Sequence, residues 1–205
     1  MIRKLLWRIL DVRCFQYLKG RNMTNLKDAN WATTGEGRMW HQHSKLAIGK
    51  YCSIAANVHF ICDSRCHVES EITTFPLFSE VMPKEHPVRI SGQTYNTSEI
   101  KDKVRPSKCG ITIGNDTWIG MNAMILPGVI IGNGVTILPG SVVSKNIPDY
   151  SICGDVPAKI TKMKHDDDSI AKFNKFAWWN WPVGKIRENI DDFYLPAADF
   201  LNKHS

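Results

Sequence analysis

Residues 113–148 read Ile113-Gly-Asn-Asp-Thr-Trp, Ile119-Gly-Met-Asn-Ala-Met, Ile125-Leu-Pro-Gly-Val-Ile, Ile131-Gly-Asn-Gly-Val-Thr, Ile137-Leu-Pro-Gly-Ser-Val and Val143-Ser-Lys-Asn-Ile-Pro. The first place of each six is Ile or Val, and the fifth holds Thr117, Ala123, Val129, Val135, Ser141 and Ile147, mostly small or β-branched. A helix cannot use this period. Positions six apart lie about 240° round a 3.6-residue helix, so the isoleucines would form no stripe. Gly128, Pro127, Gly134, Pro139 and Gly140 would each weaken or break it. Short strands joined by tight corners can use it. Three such segments close a triangular coil whose first-place aliphatic side chains stack inward, which is a parallel β-helix.

The same signature occurs earlier as Ile48-Gly-Lys-Tyr-Cys-Ser, Ile54-Ala-Ala-Asn-Val-His and Phe60. The spacing from Ile48 to Ile113 is not a multiple of six, so an insertion separates the two runs. Residues 77–110 carry Pro83, Pro87 and Pro106, mixed charge and no repeat. A loop of that length inside a compact domain is usually functional.

The rest of the 205 residues bounds the function. A chain that is 43% hydrophobic and 22% charged buries a core. Arg3, Lys4 and Arg8 interrupt the N-terminal apolar patch, and no apolar run reaches the ~20 residues of a membrane-spanning helix. Lys plus Arg exceed Asp plus Glu by 26 to 20, which favours anionic partners. The surplus is spread along the chain without a nucleic-acid-binding signature, so no nucleic-acid partner is expected. Six cysteines, Cys14, Cys52, Cys62, Cys66, Cys109 and Cys153, read as reduced thiols of a cytoplasmic protein, because a chain of this length needs no staples.

Five ordered motifs carry a resemblance: Ile48-Gly-Lys-Tyr-Cys-Ser-Ile54; His67 followed by Thr74-Phe75-Pro76-Leu77-Phe78; Gly114-Asn-Asp-Thr-Trp118-Ile-Gly120; Gly154-Asp-Val-Pro-Ala-Lys159; and Trp178-Trp-Asn-Trp-Pro182. Across residues 46–194 the chain resembles the hexapeptide-repeat acetyltransferases of the xenobiotic and sugar acetyltransferase group. The resemblance implies an all-β fold, a left-handed parallel β-helix of hexapeptide repeats with an inserted loop and short C-terminal helices. It implies homotrimers with active sites between subunits, and acetyl-CoA as co-substrate. The domain reading is 1–45 for an N-terminal amphipathic helix and lead-in, 46–164 for the coil with its 77–110 insertion, and 165–205 for a C-terminal helical cap.

Moving an acetyl group from a thioester needs a base and an oxyanion partner, since the thiolate leaves readily. A neutral histidine, with reference pKa about 6.5, can take the acceptor's proton. The resemblance places that base at His67. The other six histidines fall at a repeat corner (His59) or in loop, insertion or tail (His41, His43, His86, His165, His204). Cys62 and Cys66 raise a covalent alternative through an activated thiolate. With His67 they lack the paired spacing of a zinc site, and no metal is expected. For the donor, carry-over implicates Met121, Pro139 and Ser144 through main chain or hydroxyl. Lys159 and Lys162 fall near the nucleotide end, where Lys serves as a phosphate point charge. Trp118 and Phe75 are candidate acceptor or donor walls, weighed against plain packing.

At the C-terminus, His165-Asp-Asp-Asp-Ser169 supplies a helix cap and first-turn negative charge. Ile170, Phe173 and Ala177 mark one helical face and Ile186, Ile190 and Phe193 a second, with the tryptophans as packing residues. These helices are expected to cover the coil, whose open end would expose unpaired strand edges. At the N-terminus, Ile2, Leu5, Leu6 and Ile9 share a face with Arg3, Lys4 and Arg8 among them. That helix either folds onto the coil or a neighbouring subunit, or brings residues 1–18 into peripheral contact with an anionic membrane at its inner face.

The sequence therefore reads as an acetyl-CoA-dependent acetyltransferase acting on a hydroxyl or amine of a sugar, either nucleotide-linked or in a surface polysaccharide. Acetylation of chloramphenicol or a streptogramin is the alternative within the class, and a non-catalytic β-helix scaffold the alternative outside it.

Overall fold

The structure is a computed structural model that describes the backbone of 34–40 and residues 46–62, 72, 75, 81, 87–90, 92–96 and 110–204. His67 and the N-terminal residues 1–33 lie outside the described residues.

Six-residue segments become the walls of a three-sided coil. The first wall is β2 (Leu46–Ile48), β6 (Ile111–Ile113) and β9 (Ile130–Ile131), paired in parallel and extended by a bridge from Ile131 to Ile147. The second takes the start of β3 (Ser53–Ile61), then β7 (Trp118–Ile119), β10 (Thr136–Ile137) and β12 (Ser151–Gly154). The third takes the end of β3, with β8 (Met124–Ile125) and β11 (Val142–Val143). β3 serves two walls because it turns a corner at Asn57, whose φ is 58°.

The first-place residues Ile113, Ile119, Ile125, Ile131, Ile137 and Val143 are each at most 2% exposed. Each removes an aliphatic side chain from water, worth about 1.5–3 kcal/mol. Fifth-place residues are buried too, and the polar ones find corner carbonyls. Thr117 Oγ1 donates to Gly132 at 3.1 Å and Ser141 Oγ to Leu138 at 2.6 Å, while Cys52 Sγ donates to Gly114 at 3.1 Å. That is why small hydrogen-bonding residues are tolerated inside an otherwise dry coil.

Between the first and second walls, residues 49–52, 114–117, 132–135 and 148–151 form a column of corners. Gly114 is required there by closeness, since a Cβ would lie 2.6 Å from the Gly132 carbonyl carbon. Side-chain amides bind the column lengthwise. Lys50 N donates to Asn115 Oδ1 (2.9 Å), Asn115 N to Asn133 Oδ1 (2.8 Å) and Asn133 N to Asp149 Oδ1 (2.6 Å). Asn174 closes the ladder by donating to Asp149 Oδ2 at 2.7 Å.

Asn174 belongs to α1 (Asp167–Phe176), which starts as expected, with the Asp166 side chain accepting from Ser169 N, and ends at Ala177 in the left-handed region. A 3-10 turn, Trp178–Asn180, and α2 (Val183–Glu188) follow. The second expected helix is not continuous. It breaks at Asn189 into a further 3-10 turn, Ile190–Tyr194, and leaves Ile190 44% exposed. A third helix, α3 (Ala197–His204), was not legible in the pattern and buries Phe200 and Leu201. Asp192, 8% exposed, receives Lys203 Nζ at 2.7 Å and lies 2.9 Å from His204 Nε2.

The helical cap follows the side of the coil. Tyr150, Phe173, Trp179, Phe200 and Leu201 form a second core with Tyr51, Trp178 and Trp181 packed on it. Lys50 Nζ donates to Asn180 Oδ1 at 3.0 Å, and the Tyr51 and Trp178 rings lie 4.8 Å apart. The cap thus runs along the first corner column from Tyr150 back to Tyr51. At the end of the coil, β13 (Lys159–Met163) folds back antiparallel on β12, and its lysines mark that edge strand.

One boundary shifts. The stretch expected as lead-in contains β1 (Thr34–Trp40), which pairs in parallel with β3, so the coil starts before residue 46. Thr34-Gly-Glu-Gly-Arg-Met-Trp lacks the first-place aliphatic residue that reveals the other strands. Gly110 N donates to Cys62 O at 2.8 Å and Gly128 N to Gly110 O at 2.7 Å, so Cys62 and Gly110 close one corner of the coil across the excursion between them. Within that excursion β4 (Pro87–Ile90) and β5 (Gln93–Asn96) make an antiparallel hairpin.

Candidate active site

The second corner column, between the second and third walls, differs from the first. It comprises residues 55–58, 120–123 and 138–141 and the turn 154–157, and among its exposed residues Met121 (49%), Leu138 (37%) and Val156 (69%) are apolar. Close stacking again depends on glycine. A Cβ on Gly120 would meet Pro139 N at 2.5 Å, and one on Gly154 would meet Leu138 Cδ1 at 2.8 Å. Gly140 N donates to Met121 O at 2.8 Å, so Met121 and Pro139 sit on successive coils of one corner.

These contacts order the sequence-derived donor residues in space. Met121 comes first, Pro139 one coil on, and Lys159 follows opposite Gly154 in the β12–β13 pair. At about 4.8 Å per rung, the three span roughly 14 Å along the coil axis. Lys162 lies further along β13, opposite Ile152, and both lysines are exposed. Ser144 is set apart: it follows β11 and stands across the third wall from Pro139, half-buried. Trp118, 41% exposed, lies on the second wall between Ser53 and Thr136. Phe75 is 52% exposed on the excursion. Leu138 and Val156 were missed by sequence reasoning. The signal was the leucine in second place of Ile137-Leu-Pro-Gly, where three of the repeats carry Gly114, Gly120 and Gly132.

Cys62, five residues before His67 in the sequence, lies where the third wall meets the first. Cys62 itself is a poor nucleophile candidate. It is fully buried and its Sγ faces the Phe60 carbonyl. Burial pushes the Cys52 and Cys153 thiols up to about 11, so both are neutral packing groups in the physiological range. Cys52 and Cys153 are free thiols.

Residues 110–145 match the family described as bacterial transferase hexapeptide (six repeats). Over 163 residues the chain is 37% identical to a probable macrolide acetyltransferase of Lysinibacillus sphaericus, covering 78% of this chain and 84% of that one. It is 35% identical over 144 residues to a chloramphenicol acetyltransferase of Agrobacterium fabrum, covering 70% of this chain and 63% of that one. Over 94 residues it is 33% identical to the galactoside O-acetyltransferase of Escherichia coli, covering 46% and 40%. The chain spans less than two thirds of the length of these last two relatives. The chain belongs to the hexapeptide-repeat acetyltransferases, with the left-handed parallel β-helix of that family, and is an acetyltransferase that uses acetyl-CoA. No helix among the described residues is long and apolar enough to cross a membrane.

Proposed function

We propose that the chain moves an acetyl group from acetyl-CoA directly onto a hydroxyl or amine of a sugar, with His67 as general base. The column from Met121 through Pro139 to Lys159 carries the donor half of this reading. A pantetheine arm along that column would meet backbone amides and apolar side chains, and the phosphates would meet Lys159 and Lys162 as point charges. Ser144, across the third wall, would reach the arm by its hydroxyl. Neutral His67 takes the proton of the attacking oxygen or nitrogen as its bond to the acetyl carbon forms. The tetrahedral oxyanion collapses, the carbon–sulfur bond breaks, and the imidazolium returns the proton to the departing thiolate. Trp118 and Phe75 would offer aromatic walls.

The sugar reading draws support from the partial match to a galactoside O-acetyltransferase. A second reading has its own support. The relatives matched over 70% of this chain or more are by name macrolide and chloramphenicol acetyltransferases, which favours a hydroxylated antibiotic. We further infer a homotrimer with the site shared between subunits, and contact of residues 1–18 with either the coil or an anionic membrane. Thiol release from acetyl-CoA, measured with amino-sugar nucleotides, oligosaccharides, chloramphenicol, a macrolide and a streptogramin, decides the acceptor. Turnover with antibiotics alone would overturn the sugar reading, and turnover unaltered in His67→Ala would overturn the base. Light scattering of the purified chain tests the trimer.

A further inference from the structure

The break at Asn189 leaves Ile190 at the surface, although its place in the sequence is on one apolar stripe with Ile186 and Phe193. Tyr194 (86% exposed) and Leu195 (41%) follow in the same turn, and Pro196 beside them is exposed too. A lone exposed apolar side chain is ordinary, but a cluster of large ones marks a contact surface. Its rim is acidic. Glu188, Asp191 and Asp199 are exposed around it, and no Lys or Arg lies between 188 and 199. Of the nearby cations, Lys203 is held by Asp192 and Lys185 lies 3.8 Å over the Trp181 ring, while Arg187 is exposed just before the turn.

The turn sits at the end of the cap that reaches the Tyr51 corner. The Phe193 ring lies 5.1 Å from that of Trp178, which in turn lies 4.8 Å from that of Tyr51. The described chain begins beside the same corner, because Thr34 pairs with Ser53, two residues past Tyr51. Residues 19–33 can span up to roughly 50 Å when extended, so residues 1–18 are within reach of the turn. Their chemistry complements it. Ile2, Leu5, Leu6 and Ile9 supply apolar side chains, and Arg3, Lys4, Arg8 and Arg13 outweigh the single acid, Asp11.

We propose that residues 1–18 dock on the Ile190–Leu195 turn of their own chain. Ile2, Leu5, Leu6 and Ile9 cover Ile190, Tyr194 and Leu195, and Arg3, Lys4 and Arg8 meet Glu188, Asp191 and Asp199. This docking rests on the amphipathic helix inferred for residues 1–18, and it assigns that helix to the protein rather than to a membrane. An anionic lipid surface attracts the basic segment but repels the acidic turn, whereas the turn and the segment attract each other.

Amide exchange of residues 1–18, followed by mass spectrometry on the full chain, is the test. In the parent the segment should exchange at least about ten-fold more slowly than an unstructured peptide. Tyr194→Asp, and separately Glu188→Lys with Asp191→Lys, should remove that protection while α1 and α3 exchange as before. Adding Arg3→Glu, Lys4→Glu and Arg8→Glu to the lysine pair should restore it, which damage to the cap would not allow. Protection that persists in both turn variants overturns the docking, and protection that vanishes on dilution of the parent overturns it in favour of a second copy. Fast exchange in the parent that slows only on vesicles of phosphatidylglycerol and phosphatidylcholine gives the segment to the membrane. Fast exchange with and without those vesicles overturns the helix itself, and the docking with it.

Discussion

Two corners of one triangle are built from the same six-residue repeat and do different work. At the first, the third-place side chains of Asn115, Asn133 and Asp149 link coil to coil and, through Asn174, coil to cap. At the second, the third places hold Ala56, Met121 and Pro139, which cannot form such a ladder, and Met121 and Leu138 stay exposed. The inward places are alike at both, so the core does not distinguish them. The difference lies in which corner residues can hydrogen-bond along the axis. Where they can, a helical cap docks; where they cannot, the apolar corner residues stay exposed. The repeat supplies the scaffold, and departures from it supply the function.

This contrast can be broken in several places. The largest effect expected is on chemistry. His67→Ala should lower turnover by about 10²–10⁴-fold while leaving coenzyme A binding, measured calorimetrically, unchanged. Undiminished turnover would transfer the base to another residue. Next comes the core that both corners share. Ile125→Ala, at a site with no exposure, should cost about 2–5 kcal/mol in urea unfolding, because the stacked walls cannot close around the lost methyl groups.

The contrast itself is sharpest at Asn133, whose side chain accepts from Asn115 N and Nδ2 and donates to Asn174 Oδ1. Asn133→Ala should cost about 1–3 kcal/mol by leaving part-buried partners unpaired. Met121→Ala, at the open corner, should change stability by less than about 0.5 kcal/mol. Equal losses at the two corners would mean that the ladder is not what distinguishes them. Lys159→Ala and Lys162→Ala should raise KM for acetyl-CoA several-fold with kcat nearly preserved, and should weaken its salt dependence. The smallest effect belongs to the far end of the cap. The hydrogen bond from Lys203, with that from His204, holds the Asp192 carboxyl below the usual carboxylate range. A depressed carboxylate adds stability above its unfolded pKa and loses it as pH falls through the folded value. Asp192→Asn should therefore be less stable than the parent near neutrality and flatter in acid, as monitored by α3 amide exchange.

Much of the fold was legible because its core obeys a strict local period. An aliphatic residue every six positions, with glycine and proline excluding helix, leaves a coil of short strands as the consistent solution. The helix start at Asp166 was equally legible, since capping is local chemistry. β1 and α3 were not. The first lacks the periodic residue and is held by pairing with β3, and the second is a short segment that depends on burying Phe200 and Leu201. Phe75 and Trp118 were visible as aromatic residues near the insertion, but only their exposure shows that they are not core. Lys159 and Lys162 were visible as basic residues, but their β13 hairpin arises from pairing with β12, which no period announces.

By itself, then, the sequence determined the period, the inward faces, the break in the coil and the residue types available for acyl transfer. These depend on side-chain size and polarity at positions a few residues apart. Only the tertiary structure decided which corner the helices cover. Asn115, Asn133, Asp149 and Asn174 are far apart in the chain and meet only when coils stack one rung apart, and the same stacking leaves Met121, Leu138 and Pro139 uncovered.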